Sequence, residues 1–191
     1  MTSSPPATHQ HLAIEAELTA GPCRFVRERL RLPLGQEASF GWLRHPPSVL
    51  VVPRLLDGRL LLLRRWRPAV GRWVLEFPSG ALEPGESAAA GAARLLRGLI
   101  GAGDGNWQPL GRLHPNPGYS DEQMTLGWLA LSRGVGTELA GGGLGESPDS
   151  DTFQWRPHTP RALEAALSAL EEPVAGPSVS AWFLARQREI G

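Results

Sequence analysis

The strongest constraint on the fold is a spaced set of four residues. Glu86 follows Gly80 after five intervening residues, Arg94 follows after seven more, and Gly101 after a further six. The preceding run Trp73 to Phe77 reads as a short strand, and Ser87 to Leu99 reads as a helix. Ser87 suits the N-cap, where its hydroxyl accepts a bond from an orphan backbone N–H. Gly101 suits the position just past the helix end, where a left-handed conformation is common. A strand, a glycine loop and a capped helix in this order point to a mixed α/β core.

The remaining elements agree with that core. Cys23 to Leu32 and Ala38 to Leu43 flank Pro33-Leu34-Gly35-Gln36 and read as a hairpin. Ser48 to Pro53 and Arg59 to Arg64 form a second pair around Leu56-Asp57-Gly58. Pro109 to Leu113 and Thr125 to Leu131 are further strands around the loop His114 to Gln123. Arg133 to Asp151 reads as a mobile loop, rich in Gly, Ser and acidic residues, and Phe153 to Arg156 as a short strand. Pro160 to Leu170 is an amphipathic helix capped by Thr159, and Val179 to Glu189 a closing helix opened by Ser178. The order predicts an α/β/α sandwich with a mixed central sheet over residues 48–191. It also predicts a β-hairpin extension over 21–47 and a disordered or loosely ordered lead-in over 1–20.

Composition excludes several roles. The formal net charge is zero over 191 residues, which argues against general electrostatic attraction to nucleic acid or a membrane surface. No apolar run, Leu60 to Leu63 included, approaches the length needed to cross a bilayer. The single cysteine, Cys23, rules out an internal disulfide and a multi-cysteine metal site. Met1 to Gln10 lacks the basic and apolar regions of a signal peptide, so a cytoplasmic location is expected. There is no lysine, and every permanent cation is an arginine, whose planar fork suits bidentate phosphate contacts.

The spaced set resembles the Nudix box, G-x5-E-x7-R-E-U-x-E-E-x-G-U with U aliphatic. Three further segments resemble the ADP-ribose pyrophosphatase branch of that superfamily: Arg64-Arg65-Trp66-Arg67-Pro68, Leu75-Glu76-Phe77-Pro78-Ser79-Gly80, and Pro115-Asn116-Pro117-Gly118-Tyr119-Ser120-Asp121-Glu122. This resemblance covers roughly Arg24 to Ile190. It implies a Nudix-type sandwich, a nucleoside-diphosphate-sugar ligand, and a homodimer formed through the N-terminal strands. By position, Arg67 would contact the diphosphate, with Arg64 close by, and Glu76 would bond the nucleoside end. Tyr119 offers a stacking surface. The Ser79 backbone carbonyl, Glu86 and Glu122 would hold Mg2+ or Mn2+ if a metal site persists, with Glu122 or Asp121 as the catalytic loop carboxylate.

The chain departs from the box where the box does its chemistry. Leu95, Gly98 and Leu99 stand at the three positions after Arg94 where the family has glutamates. Residues three and four apart share one helix face, so those carboxylates would converge on a hard divalent cation. Here that face is aliphatic. Glu86 and Arg94 remain, and the resemblance implies that they form an ion pair tying loop to helix. Three readings follow. One is a silent or severely impaired Nudix protein that keeps a nucleotide-diphosphate pocket and needs no metal. A second is an active hydrolase of ADP-ribose or a related sugar nucleotide, with Mg2+ or Mn2+ held by Glu83, Glu86, Glu122 and substrate phosphates. The third is a scaffold or partner-binding protein. His45 and His114 lack metal-ligand spacing to any partner.

Overall fold

The computed structural model describes residues 8–134, 144–146, 152–169 and 172–188. The chain divides into two compact units, Met1–Pro46 with His114–Gln123, and Pro47–Leu113 with Met124–Gly191.

In the first unit, strand formation begins earlier than expected. Most of the anticipated loose lead-in is strand β1 (Gln10–Ala20), which pairs antiparallel with β2 (Cys23–Arg31), itself paired with β3 (Glu37–Arg44). The expected hairpin is present as β2 and β3, and β1 extends it to a three-stranded sheet. Nearly every residue of β1 is exposed, so no buried alternation marks it in the sequence. Charge complementarity joins it to β2 instead. Glu15 meets Arg27 at 3.1 Å and Arg29 at 3.2 Å, and Glu17 meets Arg24 at 3.2 Å. Glu28, buried on β2, is contacted by His11 Nδ1 at 2.9 Å and receives a bond from Arg44 Nη2 at 3.3 Å. The bond to His11 holds the Glu28 carboxyl below the usual range, against the opposing effect of burial.

The second unit is built on an eight-stranded mixed sheet. Its strands are β4 (Ser48–Arg54), β5 (Leu60–Arg67), β6 (Arg72–Glu76), β7 (Ser79–Ala81), β8 (Gly105–Leu113), β9 (Met124–Leu131), β10 (Leu144–Glu146) and β11 (Thr152–His158). The principal order is β10-β11-β5-β4-β9-β8, with β6 on β5 and β7 on β4. β4 and β9 run parallel and the other pairs antiparallel. Part of the anticipated 133–151 loop is thus strand β10, and the rest of it from 135 lies outside the described residues.

Alternation along the strands divides the core into two layers. Leu50, Val52, Leu60 and Leu62 pack with Leu163 of α2 (Pro160–Ser168) and with Ala181, Trp182 and Ala185 of α3 (Gly176–Gln187). Val49, Val51, Leu61 and Leu63 pack with Ala92, Leu96 and Ile100 of α1 (Ala88–Ile100). Helices on both sides explain why Leu60 to Leu63 are buried without interruption. Each such leucine contributes roughly 1.5–3 kcal/mol by leaving water.

Helix α1 has the anticipated ends. The Ser87 hydroxyl accepts from Ala90 N–H at 3.2 Å, and Gly101 takes φ 68° while its N–H bonds Arg97 O at 2.9 Å. Helix α3 differs from expectation. It starts at Gly176 with Ala175 at the cap, and Pro177 sits inside the first turn, where its missing N–H costs nothing. Ser178 does not open the helix. Its buried hydroxyl accepts the Phe77 N–H at 2.8 Å, just beyond the end of β6. The chain before α3 also docks on β6, with Leu75 N–H on Pro173 O at 2.9 Å and Ala175 N–H on Leu75 O at 3.0 Å.

Candidate functional site

The glycine loop and α1 are joined through Arg94, which pairs with Glu86 and, at 3.6 Å, with Glu83. Arg94 donates Nε to Glu86 Oε1 at 2.8 Å and Nη2 to Glu86 Oε2 at 2.7 Å, and Nη2 also reaches Ala81 O at 3.0 Å. Glu83 N–H adds a bond to Glu86 Oε2 at 3.0 Å. These bonds, the one from Arg94 foremost, depress the Glu86 carboxyl to about 2, so it is ionised at any ordinary pH. The loop can approach the helix because residue 91 is glycine. A Cβ there would lie 2.3 Å from Leu82 Cδ2 and 3.1 Å from Glu86 Oε2.

The α1 face at 95, 98 and 99 carries no oxygen donor. Leu95 and Leu99 pack partly buried against the second core layer, and Gly98 is exposed, where an added Cβ would meet nothing within 4 Å. Ser79 lies in β7, opposite Leu50. Among the described residues, no group of three or more His, Cys, Asp or Glu side chains could hold a metal ion. Both Glu86 oxygens are committed to Arg94 and to backbone. A hard divalent cation takes six or more oxygen ligands. Among the described residues, side chains alone do not complete such a shell.

The β5–β6 pair brings together Arg67 and Glu76. Arg67 donates Nη2 to Glu76 Oε1 at 2.6 Å and Nε to Oε2 at 2.9 Å, a bidentate contact. Arg65, to which the motifs assign no role, lies on the same strand face with Nε 3.6 Å from Glu76 Oε1 and its guanidinium 5.8 Å from the Phe153 ring. Glu76 is 3% exposed and Arg65 7%. The Arg67 side chain, at 37%, reaches solvent. Two guanidiniums thus face one carboxylate, one from the interior and one from the surface.

Arg64 belongs to a different group. Odd and even residues of a strand face opposite ways, and Arg64 lies 4.9 Å over the Trp73 ring and pairs with Glu172. Trp66 meets Trp73 edge to face at 5.9 Å. The structure does not bring Arg64 to Arg67 and Glu76. Glu172 is 108 residues away in sequence, and no local signal links it to Arg64.

In the first unit, the loop after His114 is zipped to the end of β3. Leu43 N–H bonds Tyr119 O at 2.8 Å, Asp121 N–H bonds Leu43 O at 3.2 Å, and Leu43 and Ser120 form a parallel bridge. Asp121 Oδ1 accepts His45 N–H at 2.8 Å, and Glu122 Oε1 lies 3.9 Å from His45 Nδ1. Burial, and secondarily the Glu122 charge, push the Cys23 thiol up. Phe40, Trp42, His114, Tyr119 and Asp121 line a cavity of about 540 Å3, and Tyr119 is 59% exposed.

The model of the NUDIX domain family matches residues 44–175, more than half the chain. The chain belongs to the Nudix family. This Nudix chain is 32% identical over 111 residues to the ADP-ribose pyrophosphatase of Mycobacterium tuberculosis, a match covering 58% of this chain and 54% of that protein. It therefore spans about half the length of that relative. It is 28% identical over 177 residues to the ADP compounds hydrolase NudE of Escherichia coli, covering 92% of this chain and 82% of that one. A crystal structure of an ADP compounds hydrolase superposes with a TM-score of 0.75 at 21% identity, over 97% of this chain and 96% of the other, and so supports the fold. No described helix is long and apolar enough to cross a membrane.

Proposed function

We propose that this Nudix chain binds ADP-ribose or a related nucleoside-diphosphate sugar and hydrolyses it slowly or not at all. One observation carries the reading: the α1 face at Leu95, Gly98 and Leu99 offers no carboxylate, while Arg94 and the loop backbone occupy Glu86. Phosphoanhydride cleavage depends on positioning and on electrostatic stabilisation of phosphate charge, which a divalent cation supplies in this family. The motifs around Arg67, Glu76 and the Glu122 loop, and the names of the relatives, support the ligand class.

In this reading Arg67 exchanges part of its bond to Glu76 for a ligand phosphate, while Arg65 keeps Glu76 neutralised. Glu76 accepts from the nucleoside end. By motif, the loop of the first unit carries its own candidate groups, a stacking face on Tyr119 and hydroxyl acceptors on Asp121 and Glu122. A homodimer through the three-stranded sheet is part of the proposal, supported by exposed Ile14, Leu18, Phe25 and Phe40.

The test measures binding and turnover of ADP-ribose in parallel, with Mg2+ and with Mn2+. Binding without turnover, weakened by Arg67→Ala, is expected. Turnover at an ordinary enzymatic rate of about 10 per second, abolished by Glu122→Gln, would instead establish a hydrolase with a rebuilt metal site, the activity that the relatives' names favour. Absence of both points to a scaffold. Replacing Leu95→Glu, Gly98→Glu and Leu99→Glu together should restore metal-dependent hydrolysis if the rest of the pocket is intact. Sedimentation would detect the dimer.

A further inference from the structure

We propose that His114 is a positioning residue that sets the conformation of the acidic loop 114–122, acting through its Nδ1–H tautomer. Its Nδ1 lies 2.8 Å from the backbone carbonyl of Glu122. A carbonyl only accepts, so this contact requires the proton on Nδ1. The bond joins the first residue of the loop to the carboxylate-bearing residue at its end, eight positions on, and closes the loop into a ring. Glu122 is braced from its other side as well, because its N–H donates to Ser120 Oγ at 3.1 Å. Side chains thus hold both backbone polar groups of Glu122. Ser120 is buried, and the bridge from Leu43 fixes its backbone, so that brace is rigid. The His114 brace is exposed and can be lost without disturbing packing.

His114, Tyr119 and Asp121 all line the cavity of this unit. Loss of the brace therefore alters the wall of a ligand-sized space. The inference rests on reading Asp121 and Glu122 as loop carboxylates of the proposed pocket, and the test separates the two ideas. Asparagine places its amide N–H close to where imidazole Nδ1 sits, whereas glutamine moves the donor outward and alanine removes it. His114→Ala, His114→Gln and His114→Asn would be compared in the full chain. Backbone hydrogen exchange at Ser120 and Glu122 provides a ligand-free readout, and ADP-ribose affinity a functional one.

The expected result is about fivefold faster exchange and about fivefold weaker binding for His114→Ala and His114→Gln, the equivalent of one ordinary hydrogen bond. Near-normal values are expected for His114→Asn. The imidazole 15N shifts of neutral His114 should report a proton on Nδ1. A proton on Nε2, or exchange unchanged in His114→Ala, would overturn the inference. If wild type binds no ADP-ribose while exchange follows the expected pattern, the pocket reading fails and the positioning role stands.

Discussion

The buried carboxylate Glu76 makes a quantitative prediction about the β5–β6 pair. Glu76→Gln keeps the shape and one acceptor oxygen but removes the charge that faces Arg65 and Arg67. Contacts of 2.6, 2.9 and 3.6 Å are then left between two cations and a neutral amide. Removing one partner from a buried pair typically costs about 3–5 kcal/mol, because the remaining charge stays desolvated. Arg65 is buried and Arg67 reaches solvent, so the low end applies, about 3 kcal/mol. Arg67→Ala should cost only about 1 kcal/mol, since its side chain is already 37% exposed and Arg65 still faces Glu76. The pair should also couple: in an Arg67→Ala background the Glu76→Gln loss should fall by at least about 1 kcal/mol. Urea denaturation of the four proteins, with equal m-values, measures all three quantities. In thermal unfolding the Glu76→Gln loss corresponds to roughly 6–12 °C for a chain of this size. A Glu76→Gln loss below about 1 kcal/mol, or additivity within about 0.5 kcal/mol, would refute the argument that this carboxylate is the counter-charge of both arginines.

Three further outcomes are expected. Gly98→Ala should stabilise the protein by about 1 kcal/mol in thermal unfolding, because the site is open and glycine is a poor residue in a helix; a loss of stability would show that position 98 is not open. Gly127→Ala should destabilise by about 2–3 kcal/mol, since its Cβ would lie 1.9 Å from the Trp107 ring, and the near-UV circular dichroism of that tryptophan should change. Glu86→Gln should cost about 1 kcal/mol at neutral pH, the solvent-screened value for a bidentate surface pair. The folded Glu86 pKa, about 2, lies below the ordinary 4.5, so its contribution is fully present above 4.5 and fades as pH falls towards 2. The stability difference between wild type and Glu86→Gln should therefore shrink across that window, and a difference that grows on acidification would contradict the assigned partner.

The helix of the glycine motif was legible in the sequence because its signals are local. Ser87 and Gly101 act through bonds to residues three and four positions away. The pairing of Glu86 with Arg94 likewise joins residues only eight positions apart. The buried run of β5 was legible because four apolar residues in succession need cover on both faces. Strand β1 was not, since its partners are charges on β2 and its own residues face solvent. The start of α3 was misplaced because Ser178 resembles a cap in sequence, while its hydroxyl serves the backbone of Phe77, 101 residues earlier.

The sequence by itself determined the family, the layer order and the aliphatic character of α1 at residues 95 and 99, all of which are written in spacing and residue type. Only the tertiary structure decided which arginine meets which acid. Arg64, Arg65 and Arg67 of β5 look equivalent as a string. The period of two in a strand sends Arg65 and Arg67 to Glu76 and sends Arg64 to Trp73 and Glu172. Charge pairing depends on distance through space: Glu76 comes from the adjacent strand, nine residues on from Arg67, and Glu172 from 108 residues beyond Arg64.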